Sequence, residues 1–286
     1  MRNINEIKNR IKTIRDTEQI TRAMKLISVS KMRKAIIKYR NNLTYAKIVR
    51  KTMKDILVHS PELSSKYIKL RPGKRITYVV VAGNKGLAGG YNANVLNLAY
   101  AKMQEAEEPL IFAVGQVAKE FFEKKGIPIH SEYLNIANEP TLGDVRGLTL
   151  DLLELYDKKQ TDEIVFVYTK LISPTVTEAV AAEILPVRPE ALSEVDANDR
   201  SYGIAYDASP NEVLQVLIPQ YVLGMVYGAM VQASASEHSS RMIAMENATD
   251  NADKMLKELS LEYNRARQEN ITNELNEIVA ASVRKA

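Results

Sequence analysis

The chain of 286 residues has no cysteine and no tryptophan. Without cysteine, disulfides and thiolate chemistry are excluded, whatever the redox state of the compartment. No run of about 18 apolar residues occurs, so the sequence predicts no membrane-spanning helix. The start, MRNINEIKNRIKTIRDTEQ, has no continuous apolar stretch of the kind a secretory signal needs. Its basic, amphipathic character suits some transit peptides, but Glu6, Asp16 and Glu18 argue against one. Histidine is scarce: His59, His130 and His238 lie in three separate segments with no metal-ligand spacing. The most informative absence is positional. Residues 1–60 and 229–286 contain neither glycine nor proline, although the chain has 12 of one and 10 of the other. Helices end at such residues, so the pattern predicts a long helix, a compact middle and a second long helix.

What is present agrees. Ile4, Ile7, Ile11 and Ile14 are spaced 3, 4, 3, as are Val29, Met32, Ile36, Tyr39, Leu43 and Ala46 in continuation. Met242, Met245, Thr249, Ala252, Leu256, Leu259, Tyr263 and Ala266 keep the same rhythm, and Ile271, Leu275 and Ile278 resume it after a slip. This is an a/d seam. Small residues alternate with large ones along it, which lets two helices approach closely. At about 1.5 Å per residue each helix reaches roughly 85 Å, and two from one chain pair most simply antiparallel. Residues 17–30 (TEQITRAMKLISVS) fit neither flanking register and spread apolar side chains around the helix, which favours a contact outside the pair. Net charge is uneven: residues 1–60 hold 16 basic and 4 acidic side chains, against 16 and 21 in 61–210 and 7 and 10 in 211–286. A basic first helix calls for an acidic partner, nucleic acid or an anionic surface.

The middle alternates strand-like and helical stretches. Strands are expected at 76–82, 110–114, 127–133 and 163–169, with a more alternating stretch at 175–185. Helices are expected at 91–108, 117–125 and 145–155. Residues 188–211 read as a loop, and Pro219, Gly224 and Gly228 as a source of kinking in the next helix. The fold class is therefore α/β: a long antiparallel two-helix coiled coil plus a Rossmann-like domain with a mostly parallel sheet. The implied segments are 1–60, 61–210 and 211–286.

GNKGLAGGYN (83–92) poses the one question of small-molecule chemistry. It has Asn84 where a dinucleotide loop needs its first glycine, and five residues between Gly83 and Gly89 where a P-loop has four. Glycines that let a helix pack tightly against a strand end are the simpler reading. Ser236, Glu237 and His238 are consecutive on a helix and point about 100° apart, so a solvated helix face is expected rather than a catalytic group.

Taken together, ITRAMKLISVSKMRKA (20–35), GNKGLAGGYN (83–92), SEHSSRMIAMENATDNA (236–252) and LSLEYNRARQENITNELNEIV (259–279) resemble the motifs of the γ subunits of bacterial F-type ATP synthases. The likeness spans nearly the whole chain. It implies a rotor stalk without an active site, cofactor or metal, one copy per complex. Such a stalk couples proton flow through a membrane c ring to a catalytic ring of α and β subunits. The implied partners are the α and β subunits, the ε subunit and the c ring, with no nucleic acid and no insertion into the membrane. The place implied is the cytoplasmic face of a bacterial membrane. By the resemblance, Met24 and Lys25 lie near an acidic loop of β, with Lys31 and Arg33 on the same basic helix. Arg267, Gln268, Thr272 and Glu274 match positions that meet β higher in the ring. Arg241 and Glu246 lie in the other signature block, and Tyr206 with Asp207 match a pair facing the c ring. Asn84-Lys85 stands where the family often has an acid before a base, Ala88 where cysteine is common, and Glu246 where a base is common. A coiled-coil scaffold, a nucleic-acid binder and a nucleotide enzyme are the competing readings. The first helix carries only Tyr39 and Tyr45 as aromatics, few for a strand binder.

Overall fold

The computed structural model describes residues 4–59, 65–73, 75–188 and 209–283. The chain divides into two compact units, 29–241 and the pair 1–28 with 242–286. Two helices pass through both: α1 (Ile4–His59) and the last helix, α5 (Pro210–Val283).

In the larger unit a five-stranded sheet is built from β1 (Arg75–Val81), β2 (Glu108–Val114), β3 (Ser131–Tyr133), β4 (Glu163–Ser173) and β5 (Val176–Leu185). The order is β3-β2-β1-β4-β5, parallel except for β5, which runs back along β4. The helices between are α2 (Tyr91–Met103), α3 (Gln116–Lys124) and α4 (Leu142–Asp157). Alternate strand residues serve opposite layers. Tyr78, Val80, Ile111, Ala113, Val165 and Val167 pack with Val95 and Leu96 of α2 and Phe122 of α3. Val79, Val81, Phe112, Val114, Ile164 and Phe166 pack with Leu148 and Leu152 of α4, Met53 and Ile56 of α1, and Ile218 and Val222 of α5. Burial on both faces is why β1 reads as a continuous β-branched run. The freer alternation of β5 marks an edge strand.

Several boundaries differ from the sequence reading for identifiable reasons. β3 is only three residues because Pro128 has no N–H to pair and Ile127 N–H closes α3 by donating to Phe122 O. Pairing begins at His130, whose N–H donates to Ile111 O at 2.8 Å. α2 stops at Met103, since Glu108 already belongs to β2. α4 starts earlier than expected because Thr141 caps it, its hydroxyl accepting from Asp144 N–H. α5 begins with a capping box: Glu212 N–H donates to Ser209 Oγ and Ser209 N–H to Glu212 Oε2, with Pro210 as first helical residue. It runs unbroken through Pro219, Gly224 and Gly228. Gly224 O there accepts from Asn42 Nδ2 at 2.9 Å. α5 also holds an 18-residue window of mean hydropathy 1.5, half of it buried inside the fold. Within this unit the buried stripe of α1 is Met32, Ala35, Ala46, Val49, Met53 and Ile56, and Leu43 stays 37% exposed. Asn42 faces α5 in its place, a seam position hidden by its polarity.

The smaller unit is an antiparallel helix pair. Ile7 packs with Leu259 and Ala266, flanked by Ile4, Ile11, Ile14 and Tyr263. Farther along, Thr21 Oγ1 and Thr249 Oγ1 share a buried hydrogen bond of 2.8 Å, and Lys25 Nζ meets Glu246 Oε1 at 2.7 Å. Partner numbers fall as α1 numbers rise, as the seam requires. The seam does not continue through Ile271, Leu275 and Ile278, which are 45%, 57% and 65% exposed. Among the described residues, the pairing with α1 reaches Ala266, against which Ile7 packs.

Candidate partner-contact site

The glycine-rich turn after β1 is held from inside. Gly83 N–H donates to Asn92 Oδ1 at 2.8 Å, and Asn92 Nδ2 donates to Lys85 O. Asn84 reaches across to the next crossover: its Nδ2 donates to Leu134 O and its Oδ1 accepts from Gln116 N–H, both at 2.8 Å. Val117 N–H donates to Gly83 O. The first free amides of α3, which would otherwise attract an anion, are thus bound by Asn84 and Gly83. Leu87 and Gly89 take positive φ, 61° and 56°, to turn the chain back into α2.

The block 236–241 of α5 packs against this turn, and the expectation of a solvated face at 236–238 does not hold. Ser236 is fully buried, Glu237 is 2% exposed and His238 7%. Ser236 Oγ donates to Thr169 O and Ser239 Oγ to Pro174 O, pinning α5 to the β4–β5 hairpin. Glu237 Oε1 and Arg241 Nη2 form an ion pair of 2.5 Å, and the same Nη2 donates to Gly86 O at 3.3 Å. A Cβ on Gly83 would lie 3.0 Å from Glu237 Cδ, so glycine there gives α5 room to seat its carboxylate. Tyr91 is buried beside the pair. Its hydroxyl is held well above the usual tyrosine range by burial, with Glu237 adding to the effect. Consecutive residues 236–239 do not converge on one point. They grip different neighbours, and the result is a joint rather than a reaction centre.

His238 is pushed down to about 4, by burial first and by the nearby Arg241 and Lys31 cations second. In the unfolded chain the ring titrates near 6.5. The native state therefore keeps its full contribution above that pH and loses it as pH falls toward 4. At pH 5 the loss is about 2 kcal/mol relative to pH 7.5. Urea unfolding of the chain at the two pH values should show this difference, and His238→Gln should remove most of it.

The residues singled out from the sequence are scattered rather than gathered. Met24 is half-buried, and Arg33 is exposed. Lys25 and Glu246 pair with each other, so Glu246 has a partner on α1. Lys31 pairs with Glu139 at 2.9 Å. Arg241 is engaged inside the larger unit. Arg267, Gln268, Thr272 and Glu274 are exposed near the end of α5, and Thr272 Oγ1 donates to Gln268 O. Tyr206 and Asp207 lie outside the described residues. The off-register segment leaves Ile20, Leu26 and Ile27 60%, 66% and 57% exposed. Among the described residues, no three His, Asp or Glu side chains are grouped to hold a metal.

A mostly parallel sheet flanked by the first and last helices, with those helices also paired to each other, defines the class of central-stalk folds. Two solved chains share it. The rotor of the Euglena gracilis mitochondrial ATP synthase in rotational state 1 matches with a TM-score of 0.63 at 16% identity, covering 94% of this chain and 98% of the other. A Tetrahymena thermophila mitochondrial ATP synthase central stalk/c-ring chain matches at 0.59 and 21% identity, over 80% and 99%. The ATP synthase family profile matches residues 3–283. The chain is 42% identical to the ATP synthase gamma chain of Ruminiclostridium cellulolyticum over 98% of each sequence. It is 39% identical to that of Alkaliphilus metalliredigens over 97% of this chain and 96% of the relative. The chain belongs to the ATP synthase gamma chain family.

Proposed function

We propose that the chain is the non-catalytic rotor of a proton-driven ATP synthase at the cytoplasmic face of a bacterial membrane. Segments 1–60 and 211–286 serve as the shaft and 61–210 as its foot. The shaft turns inside the ring of α and β subunits. The foot meets the ε subunit and the c ring, the latter through Tyr206 and Asp207. The carrying observation is the apolar stripe Ile271, Leu275 and Ile278, exposed although it continues the rhythm of the seam. An exposed apolar stripe calls for a surrounding surface. Arg267, Gln268, Thr272 and Glu274 border it and supply polar contacts to the same ring. Ile20, Leu26 and Ile27, with Met24, Lys25, Lys31 and Arg33, form a second, basic contact suited to an acidic loop of β. A two-helix shaft has no threefold symmetry. Each catalytic site therefore meets a different face, and rotation biases their conformations in turn.

The test is assembly with α and β subunits of a clostridial relative. Gel filtration should give a complex of three α, three β and one copy of this chain, with ATP hydrolysis above that of the ring alone. Replacing Ile271, Leu275 and Ile278 together by Asp should weaken assembly by about a thousandfold or more, since burying each is worth about 1.5–3 kcal/mol and every 1.4 kcal/mol is about tenfold. Elution of the folded chain alone, with hydrolysis unchanged, would rule the reading out.

A further inference from the structure

Within the larger unit a cavity of about 190 Å³ opens between α1, α5 and β4. On α5 it is lined by Gly224, Met225 and Gly228. A Cβ on Gly224 would meet nothing within 4 Å, whereas one on Gly228 would lie 3.1 Å from Asn42 Nδ2. The missing side chain at Gly224 therefore keeps the space open. On α1, Tyr39, Ala46 and Arg50 line it from one helical stripe. On β4, Tyr168 and Lys170 line it, two residues apart and so on one face of the sheet. The volume exceeds the roughly 150 Å³ of a cavity that accepts a benzene ring.

The lining has two chemistries. Ala46, Met225 and the glycines offer an apolar wall. Arg50 and Lys170 bring two positive charges. No carboxylate lines the space, and neither cation has an ion-pair partner among the described residues. Arg50 is half-buried, with its Nε sealed and without an acceptor, so no protein group answers its charge. Tyr168 is 9% exposed, yet its hydroxyl oxygen is open to solvent and has no hydrogen-bond partner among the described residues. That hydroxyl is pushed up to about 12, by burial first and by neighbouring Tyr39 second, and stays a neutral donor. Burial raises the Tyr39 hydroxyl too, with Gln232 and then Arg50 opposing it. The guanidinium and both hydroxyls therefore form one cluster.

We propose that this cavity binds a small organic carboxylate with an apolar body the size of one ring. The carboxylate lies on Arg50 and Lys170, with the Tyr168 O–H as its neutral donor, and the body lies against Gly224 and Met225. An inorganic anion would answer the cations and leave the apolar wall facing charge. A neutral ring would cover the wall and leave the cations unanswered. A ligand with both halves matches the whole lining. Bound there, it touches α1, α5 and β4 at once and fastens the two long helices to the sheet. The site does not depend on the rotor reading, because it lies wholly within this chain.

The full chain has 10 methionines, so its methionine methyl NMR signals are few, and Met225→Leu identifies the relevant one. Titration with sodium benzoate is compared with benzamide, sodium acetate and sodium chloride at matched ionic strength. The Met225 signal should shift and saturate with benzoate at a Kd on the order of 1 mM. Benzamide lacks the charge and acetate the ring, and each should bind about fivefold or more weakly. Lys170→Gln, at an exposed position, and Arg50→Gln should each weaken benzoate by about fivefold or more. Gly224→Leu keeps every charge and fills the space, so it should abolish saturation. Benzamide or acetate binding as tightly as benzoate would overturn the proposal. So would saturation that survives Gly224→Leu, or a linear drift that chloride reproduces.

Discussion

Glu237→Gln is expected to lower the unfolding free energy of the chain by about 3 kcal/mol or more, measured by urea denaturation at pH 7.5. The substitution keeps the shape of the side chain and removes its charge. The Glu237 side chain is 3% exposed and that of Arg241 11%, so the guanidinium would keep its charge in a poorly solvated place without a counter-charge. Removing one member of such a pair costs about 3–5 kcal/mol. Gly86 O still accepts from Arg241, which places the estimate at the lower end. Joint Glu237→Gln and Arg241→Met substitution should recover much of the loss, because it takes away the stranded charge as well. The Lys25–Glu246 pair is the control. Its side chains are 34% and 48% exposed, and water screens them, so Glu246→Gln should cost no more than about 1 kcal/mol. Equal losses for Glu237→Gln and Glu246→Gln would show that the inner pair is solvated too, and that α5 is not locked to the glycine-rich turn through it.

This pair also shows what the sequence reveals and what it hides. The long helices were legible because breakers are missing over whole segments, and the strands because β-branched runs are buried on both faces. The seam was legible wherever large apolar residues carry it. It misled at Leu43, where Asn42 takes the inner position by donating to a backbone carbonyl 182 residues away, and at Ile271–Ile278, where the rhythm continues but the residues are exposed. Periodicity reports a helix with an apolar face and is silent about what covers that face. Glu237 read as part of a solvated helix face and Arg241 as a partner contact, and the burial of both depends on a turn some 150 residues earlier. Asn84 looked like the loss of a charged family position. Its amide bridges two crossovers instead, a role that needs both a donor and an acceptor in one side chain. The Ser209-x-x-Glu212 capping box was present in the sequence as a start signal for α5 and would have placed that boundary.

Gly115→Ala should be comparably damaging, and for reasons of backbone alone. Gly115 links β2 to α3 at φ 92° and ψ 150°, a region open essentially to glycine, where other residues carry about 1–3 kcal/mol of strain. An added Cβ would also lie 2.2 Å from Ala82 O and 3.1 Å from Gly83 O. These are main-chain atoms at the end of β1, and no rotamer change moves them aside. Gly115 is itself fixed, its N–H donating to Tyr133 O and its carbonyl accepting from Lys119 N–H. Relief therefore requires β1 and β2 to part at their carboxyl ends, next to the turn that receives Glu237 and Arg241. Adding about 1–3 kcal/mol for overpacking gives an expected loss of about 3–5 kcal/mol. Two other glycines separate the causes. Gly126 has φ 68° with nothing within 4 Å of its Cβ, so Gly126→Ala should show the conformational cost alone, about 1–2 kcal/mol. Gly147 lies in α4 with open space around it, and Gly147→Ala should raise stability by about 0.5–1 kcal/mol through helix propensity. The predicted order of melting temperatures is Gly147→Ala above the parent chain, then Gly126→Ala, then Gly115→Ala. If Gly115→Ala melted with Gly126→Ala, the crowding at Ala82 would relax without cost. The carboxyl ends of the strands would then be too loosely packed to serve as a firm seat for α5.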